Sequence, residues 1–157
     1  MTNIGLLLVQ FLHVLFGSIL LGGTVFLYFV LWPAILRRPP AEARAFYEGG
    51  LKPIRVLMAS SGGMTFLLGI VRGTVFGPIH SLESLETPYG LTFLVALVLT
   101  LTMLIHGPKI GPLLLRKVWD GDRYSPDAQK IVQRINLIPM VSVVLILACM
   151  ALMHFGL

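Results

Sequence analysis

The stretch IGLLLVQFLHVLFGSILLGGTVFLYFVLWPAI (residues 4–35) decides the fold class. It carries no Asp, Glu, Lys or Arg, and it is longer than the ~20 residues a helix needs to cross the hydrocarbon core of a bilayer. Three further apolar runs follow at approximately 56–77, 90–115 and 135–156. Across its 157 residues the chain is 56% hydrophobic and only 12% charged, against about 25% charged in soluble domains. These figures predict an all-α polytopic protein: one transmembrane domain, residues 1–157, built as a four-helix bundle in the lipid bilayer with short connections.

A secretory signal needs a basic n-region and a short apolar core, whereas MTNIGLLLVQ has no Lys or Arg and its apolar run continues far beyond roughly 15 residues. The first segment is therefore expected to be a retained helix. The single cysteine, Cys149, leaves no internal disulfide, and no CxxC or CxxCH motif points to zinc or covalently held haem.

Orientation follows from the cations. Arg37, Arg38, Arg44, Lys52 and Arg55 fall in the first connection; Lys109, Arg116, Lys117, Arg123, Lys130 and Arg134 fall in or beside the third. Only Arg72 lies elsewhere. The positive-inside rule then puts the first and third connections in the cytoplasm and both termini outside. The net charge of +5 thus reflects topology and anionic lipid, not a nucleic-acid footprint.

Between the spans, PPAEARAFYEGG (39–50) opens with two prolines and closes with two glycines, which predicts a short helix on the membrane surface. Tyr28 and Trp32 suit an interfacial aromatic belt. Thr87-Pro88-Tyr89-Gly90 starts the third span, DGD (120–122) reads as a turn, and Ser125-Pro126-Asp127 as a helix start. In the second span, Ser60, Ser61, Gly62, Gly63 and the Gly69/Gly73 pair permit close approach of a helix or of a flat ligand.

The chemistry rests on the histidines. An ionisable side chain at membrane depth points to function, or to an interhelical hydrogen bond. His13 shares a helical face with Gln10 and Gly17, a face expected to look into the bundle. His106 precedes Pro108, so it suits either a ligand or a partner for a kinked backbone. Counted from the outer end, His13 and His106 differ in depth by roughly 9 Å, a mismatch that tilt can remove. A b-type haem shared by His13 and His106 is one expectation; His154, near the outer surface, is a competing partner for His13. Arg72 has no acidic residue within any span to neutralise it and would suit a haem propionate, or snorkel to headgroups. Soft donors give a second chemistry. Cys149, Met150, Met153 and His154 cluster in ACMALMHF, with His80 in the outer connection, and such ligands suit copper(I).

With these residues in view, the chain resembles the CopD-like superfamily of small bacterial membrane proteins, named after copper resistance protein D. The resemblance lies in FLHVLFGSILLGGTVFLYFVLWPAILR (11–37), in the small-residue-rich next span and in Thr87-Pro88-Tyr89-Gly90, and it covers most of the chain. It implies a four-helix unit in the bacterial inner membrane and either copper handling or, as in the related HemJ-type haem proteins, b-haem held by a first-helix histidine, here His13. The chain departs from that pattern after Gly90, where a basic residue is common and LTFLVALVL is uncharged. The leading expectation is a haem b protein, an electron-transfer component or haem-dependent oxidoreductase, with His13 and His106 on the iron, Arg72 on a propionate, and Gln10 and Gly17 beside them. The alternatives are a copper transporter or chaperone using His154, Met150, Met153 and Cys149, and a structural accessory subunit. A homo-oligomer or larger membrane complex suits each of them.

Overall fold

The computed structural model describes residues 3–157, and they are almost wholly helical. Helix α1 spans Ile4–Leu36, α2 Pro40–Ala45, α3 Lys52–Thr74, α4 Pro88–Val118 and α5 Ala128–His154. Helices α1, α3, α4 and α5 are each long and apolar enough to cross a membrane, so the chain is an all-α, four-helix membrane protein. α1 packs along α3, α3 along α4, and α4 most extensively along α5; α5 meets α1 only sparsely. The ring of four helices therefore closes through a thin α1–α5 seam.

Local chemistry explains the helix ends and breaks. Asn3 caps α1 by accepting from the Leu6 N–H at 3.2 Å, and Thr87 caps α4 by accepting from the Gly90 N–H at 3.1 Å. Near the end of α1, residues Leu27–Leu31 form a π-turn in which the Trp32 N–H reaches back to the Leu27 carbonyl. Pro33 follows at once; it has no N–H to continue the regular ladder, and the widened turn lies just before it. Helix α5 begins at Ala128, earlier than the apolar run suggested, with Asp127 rather than Ser125 at the cap position. Ala128 and Val132 are buried, so the first turns of α5 hold in place by packing. Within the spans, hydroxyls turn back on their own helices: Thr24 donates to the Leu20 carbonyl at 2.8 Å and Thr100 to Ala96 at 2.8 Å. That satisfies polar groups where lipid offers no partner.

The densest packing lies at the end of the bundle that carries the basic connections. Trp32, Ile35, Ala43, Tyr47, Leu51, Leu114, Val118, Trp119, Ala128 and Val132 form one buried cluster there. α2 and the π-turn after it, Phe46–Gly50, fold onto this cluster, and Ala43 is fully buried. The strands β1 (Trp119–Asp120) and β2 (Arg123–Tyr124) form a hairpin around Gly121, whose positive φ of 60° suits a glycine. Trp32, expected in an interfacial belt, is instead only 4% exposed, packed between Tyr47 at 5.1 Å and Trp119 at 6.3 Å. The far half of the bundle is looser, and side chains such as Phe11, Leu94 and Leu145 face outward, as lipid solvation requires.

Candidate functional site

The polar chemistry of the far half gathers in one interhelical cleft. All four membrane helices line it: His13 from α1; Thr65, Gly69, Arg72 and Gly73 from α3; Tyr89, Phe93 and Thr100 among others from α4; and Ile146, Met150 and Met153 from α5. Its volume is about 80 Å³, and one side is open.

His13 sits against α3 because position 69 has no side chain. A Cβ on Gly69 would come within 3.2 Å of the His13 Cε1 and 3.8 Å of its Nδ1. The Nδ1 atom is buried and has no hydrogen-bond partner; the backbone of Thr65 lies alongside it without hydrogen-bond geometry. Such orphaned groups are rare in a folded chain and call for a specific reason. Gly73, one turn further along α3, makes room for the Phe93 ring, with which any Cβ would collide.

Arg72 stands one turn from Gly69. Its Nε donates to the Gln10 Oε1 at 2.8 Å, and its Nη1 donates to the Phe76 carbonyl at 3.2 Å. Both acceptors are neutral. The two ion pairs among the described residues, Arg44–Glu48 and Lys130–Asp127, lie elsewhere, and no acidic residue occurs within the four membrane helices. The guanidinium charge therefore has its position fixed but no counter-ion among the described residues. Gln10, expected to share a face with His13, is the residue that fixes it. Gly17, on the same face, packs toward Thr65, with a Cβ there 3.8 Å from the threonine methyl, and does not itself line the cleft.

Other candidates lie apart. His106 is exposed on α4, its Nδ1 2.9 Å from the carbonyl of Thr102 on its own helix, and it does not line the cleft. It thus meets neither His13 nor the Leu104 carbonyl that Pro108 leaves without its usual partner. His154 is exposed at the end of α5 with its ring edge-on to Phe155 at 5.5 Å. His80 is exposed in the connection between α3 and α4, its backbone N–H bonded to the Ser84 hydroxyl. Cys149 is buried outside the cleft lining. Among the described residues no three His, Cys, Asp or Glu side chains come together as a metal site. Of the soft donors, only Met150 and Met153 share a cavity with His13. The spacing in ACMALMHF groups that pair with Cys149 and His154, but the fold separates them; Gly69 and Gly73 serve close packing, against His13 and Phe93.

The fold is that of a four-helix membrane protein, with His13 and Arg72 lining one cleft between its helices. No family model, curated protein or solved structure matches the chain.

Proposed function

We propose that this chain is a b-type haem-binding protein of the bacterial inner membrane, both termini outside, that serves electron transfer or redox or gas chemistry at the haem. The observation that carries the reading is the meeting, in one apolar cleft, of an imidazole and a guanidinium without a counter-ion among the described residues. A haem would bring carboxylates for the cation and an iron for the ring nitrogen other than Nδ1.

The donor types in the lining, one imidazole and one guanidinium among apolar side chains, suit such a group. The cleft as it stands, about 80 Å³, is smaller than the ~150 Å³ cavity that takes benzene, so a haem would enter only with the helices moved apart. The room that Gly69 and Gly73 leave on α3 is filled by the His13 and Phe93 rings, and the rest of the lining is mainly apolar and aromatic. When bound, haem supplies one-electron chemistry at iron, with a potential set by axial ligands and burial. The chain's own part is to bind and to orient. His13 would hold the group through its other ring nitrogen, with the Thr65 backbone beside Nδ1 as the outer partner usual for a ligating histidine. Arg72, held by Gln10 and the Phe76 carbonyl, binds a carboxylate. Phe66, Phe93 and Leu97 keep water away from the ring.

Copper handling rests on Met150 and Met153, whose thioethers suit copper(I). Arg72 lines the same cleft and repels a cation held there, so the charge favours the anionic ligand. The test is analysis of protein purified from haem-replete cells, by pyridine haemochrome and elemental copper, for wild type, His13→Ala and His106→Ala. Stoichiometric haem that is lost with His13→Ala and kept with His106→Ala supports the proposal. Copper without haem, or haem retained by His13→Ala, overturns it.

A further inference from the structure

A second cavity lies at the basic end of the bundle, apart from the His13–Arg72 cleft. It is bounded by Tyr47 and Glu48 from the turn after α2, Arg55 from α3, and Gly111, Pro112 and Leu115 from α4, and its volume is about 180 Å³ with one side open. We propose that this cavity binds the phosphate of one anionic membrane lipid, with Arg55 as the residue that holds it. The space exceeds the ~150 Å³ cavity that takes benzene, so a headgroup phosphate has room with the helices as they stand.

Arg55 is already positioned for such a group. Its Nη2 donates to the Tyr47 carbonyl, its guanidinium lies 5.1 Å over the Tyr47 ring, and it runs close along α4, where a Cβ on Gly111 would stand 3.8 Å from Nη1. A guanidinium has five N–H donors, and the bond to Tyr47 leaves enough of them to meet two phosphate oxygens together. The charge around it is one-sided. Lys52 stands one turn before Arg55 on α3, Lys109 and Arg116 stand one turn either side of Pro112 on α4, and all four cations are exposed. Neither of the two ion pairs among the described residues includes any of them, and Glu48, the acidic side chain in the lining, is held by Arg44 at 3.0 Å. A basic pocket between membrane helices attracts anionic headgroups. Its surroundings favour a lipid over a free anion: Pro112 and Leu115 make part of the wall apolar, and Val56, Leu57 and Leu113 on the same two membrane helices are exposed, a surface for acyl chains.

The test is native mass spectrometry of the full chain in detergent, titrated with phosphatidylglycerol, phosphatidylcholine or inorganic phosphate, for wild type, Arg55→Gln, Gly111→Leu and Arg123→Gln. Gly111→Leu fills the cavity and leaves every charge in place; its Cβ meets Tyr47 and Arg55 at 3.7 and 3.8 Å, ordinary contact distances. Arg123→Gln removes one cation from the same end, on the hairpin outside the cavity. Fluorescence of Trp32 and Trp119, both in the neighbouring buried cluster, checks that each variant is folded. Wild type should bind one phosphatidylglycerol in preference to phosphatidylcholine. Arg55→Gln and Gly111→Leu should each weaken it about tenfold or more, the scale of a lost charged hydrogen bond. Arg123→Gln should stay within about twofold, as an exposed charge outside the site. An equal loss in Arg123→Gln overturns the proposal in favour of diffuse attraction, as does unchanged affinity in a folded Gly111→Leu. Inorganic phosphate bound at Arg55 with no preference for the anionic lipid overturns the assignment to a lipid.

Discussion

Replacing Tyr47 by phenylalanine gives the sharpest test of how the basic end is held. Tyr47 is 5% exposed, donates its hydroxyl to the Gly111 carbonyl on α4 at 3.1 Å, and packs between Trp32 and Trp119 at 5.1 and 5.4 Å. Burial pushes its phenol up to about 12, with the Arg55 guanidinium, 5.1 Å over the ring, pulling more weakly the other way. An unfolded tyrosine titrates near ~10. Between these values the folded chain keeps a proton that the unfolded chain has released. The associated stability is therefore complete below about pH 10 and is lost as pH rises toward about 12, to a limit of roughly 2–3 kcal/mol for a two-unit shift. Tyr47→Phe removes this dependence and, at neutral pH, costs about 0.5–1.5 kcal/mol for the lost hydrogen bond. Trp32 and Trp119 are the chain's two tryptophans and both belong to the same buried cluster, so denaturant unfolding in micelles followed by tryptophan fluorescence reports on this region. Wild type should lose stability from pH 10 to 12 beyond the loss in Tyr47→Phe. Parallel pH profiles for the two proteins would refute the reasoning.

Gly69→Val should push the His13 ring out of its seat, where even a Cβ comes within 3.2 Å, and lower haem retention while circular dichroism stays helical. Thr87→Ala removes the cap on the Gly90 N–H and should cost about 1 kcal/mol, read as a lower unfolding midpoint. Glu48→Ala breaks an ion pair whose side chains are 40% and 46% exposed, and should leave the unfolding midpoint within error. A periplasm-active reporter fused after Leu157 should be active, and one inserted at Gly121 inactive, as the cation distribution requires.

The membrane spans were legible because lipid demands long uncharged runs, and a run such as 4–35 admits few other readings. Local signals also carried: Thr87 caps α4, and the DGD turn closes the hairpin through Gly121. Gln10 and His13 were legible as one face from their spacing, and both reach α3. What spacing could not supply was the rotation of each helix about its own axis. Depth arithmetic kept His106 within reach of His13, but α4 turns His106 outward onto its own Thr102 carbonyl. The same rotation separates Met150 and Met153, which face the cleft, from Cys149 beside them, while His154 lies past its rim. Trp32 looked interfacial because its partners Tyr47 and Trp119 come from distant parts of the chain.

The central claim is that the cleft around His13 and Arg72 holds a haem. The most direct measurement is the visible spectrum of the purified protein from haem-supplied cells, oxidised and after dithionite. A Soret band with sharp reduced α and β bands, weakened when Arg72→Gln removes the carboxylate partner and absent in His13→Ala, is the predicted result. A colourless wild-type preparation that also takes up no added haemin would contradict it.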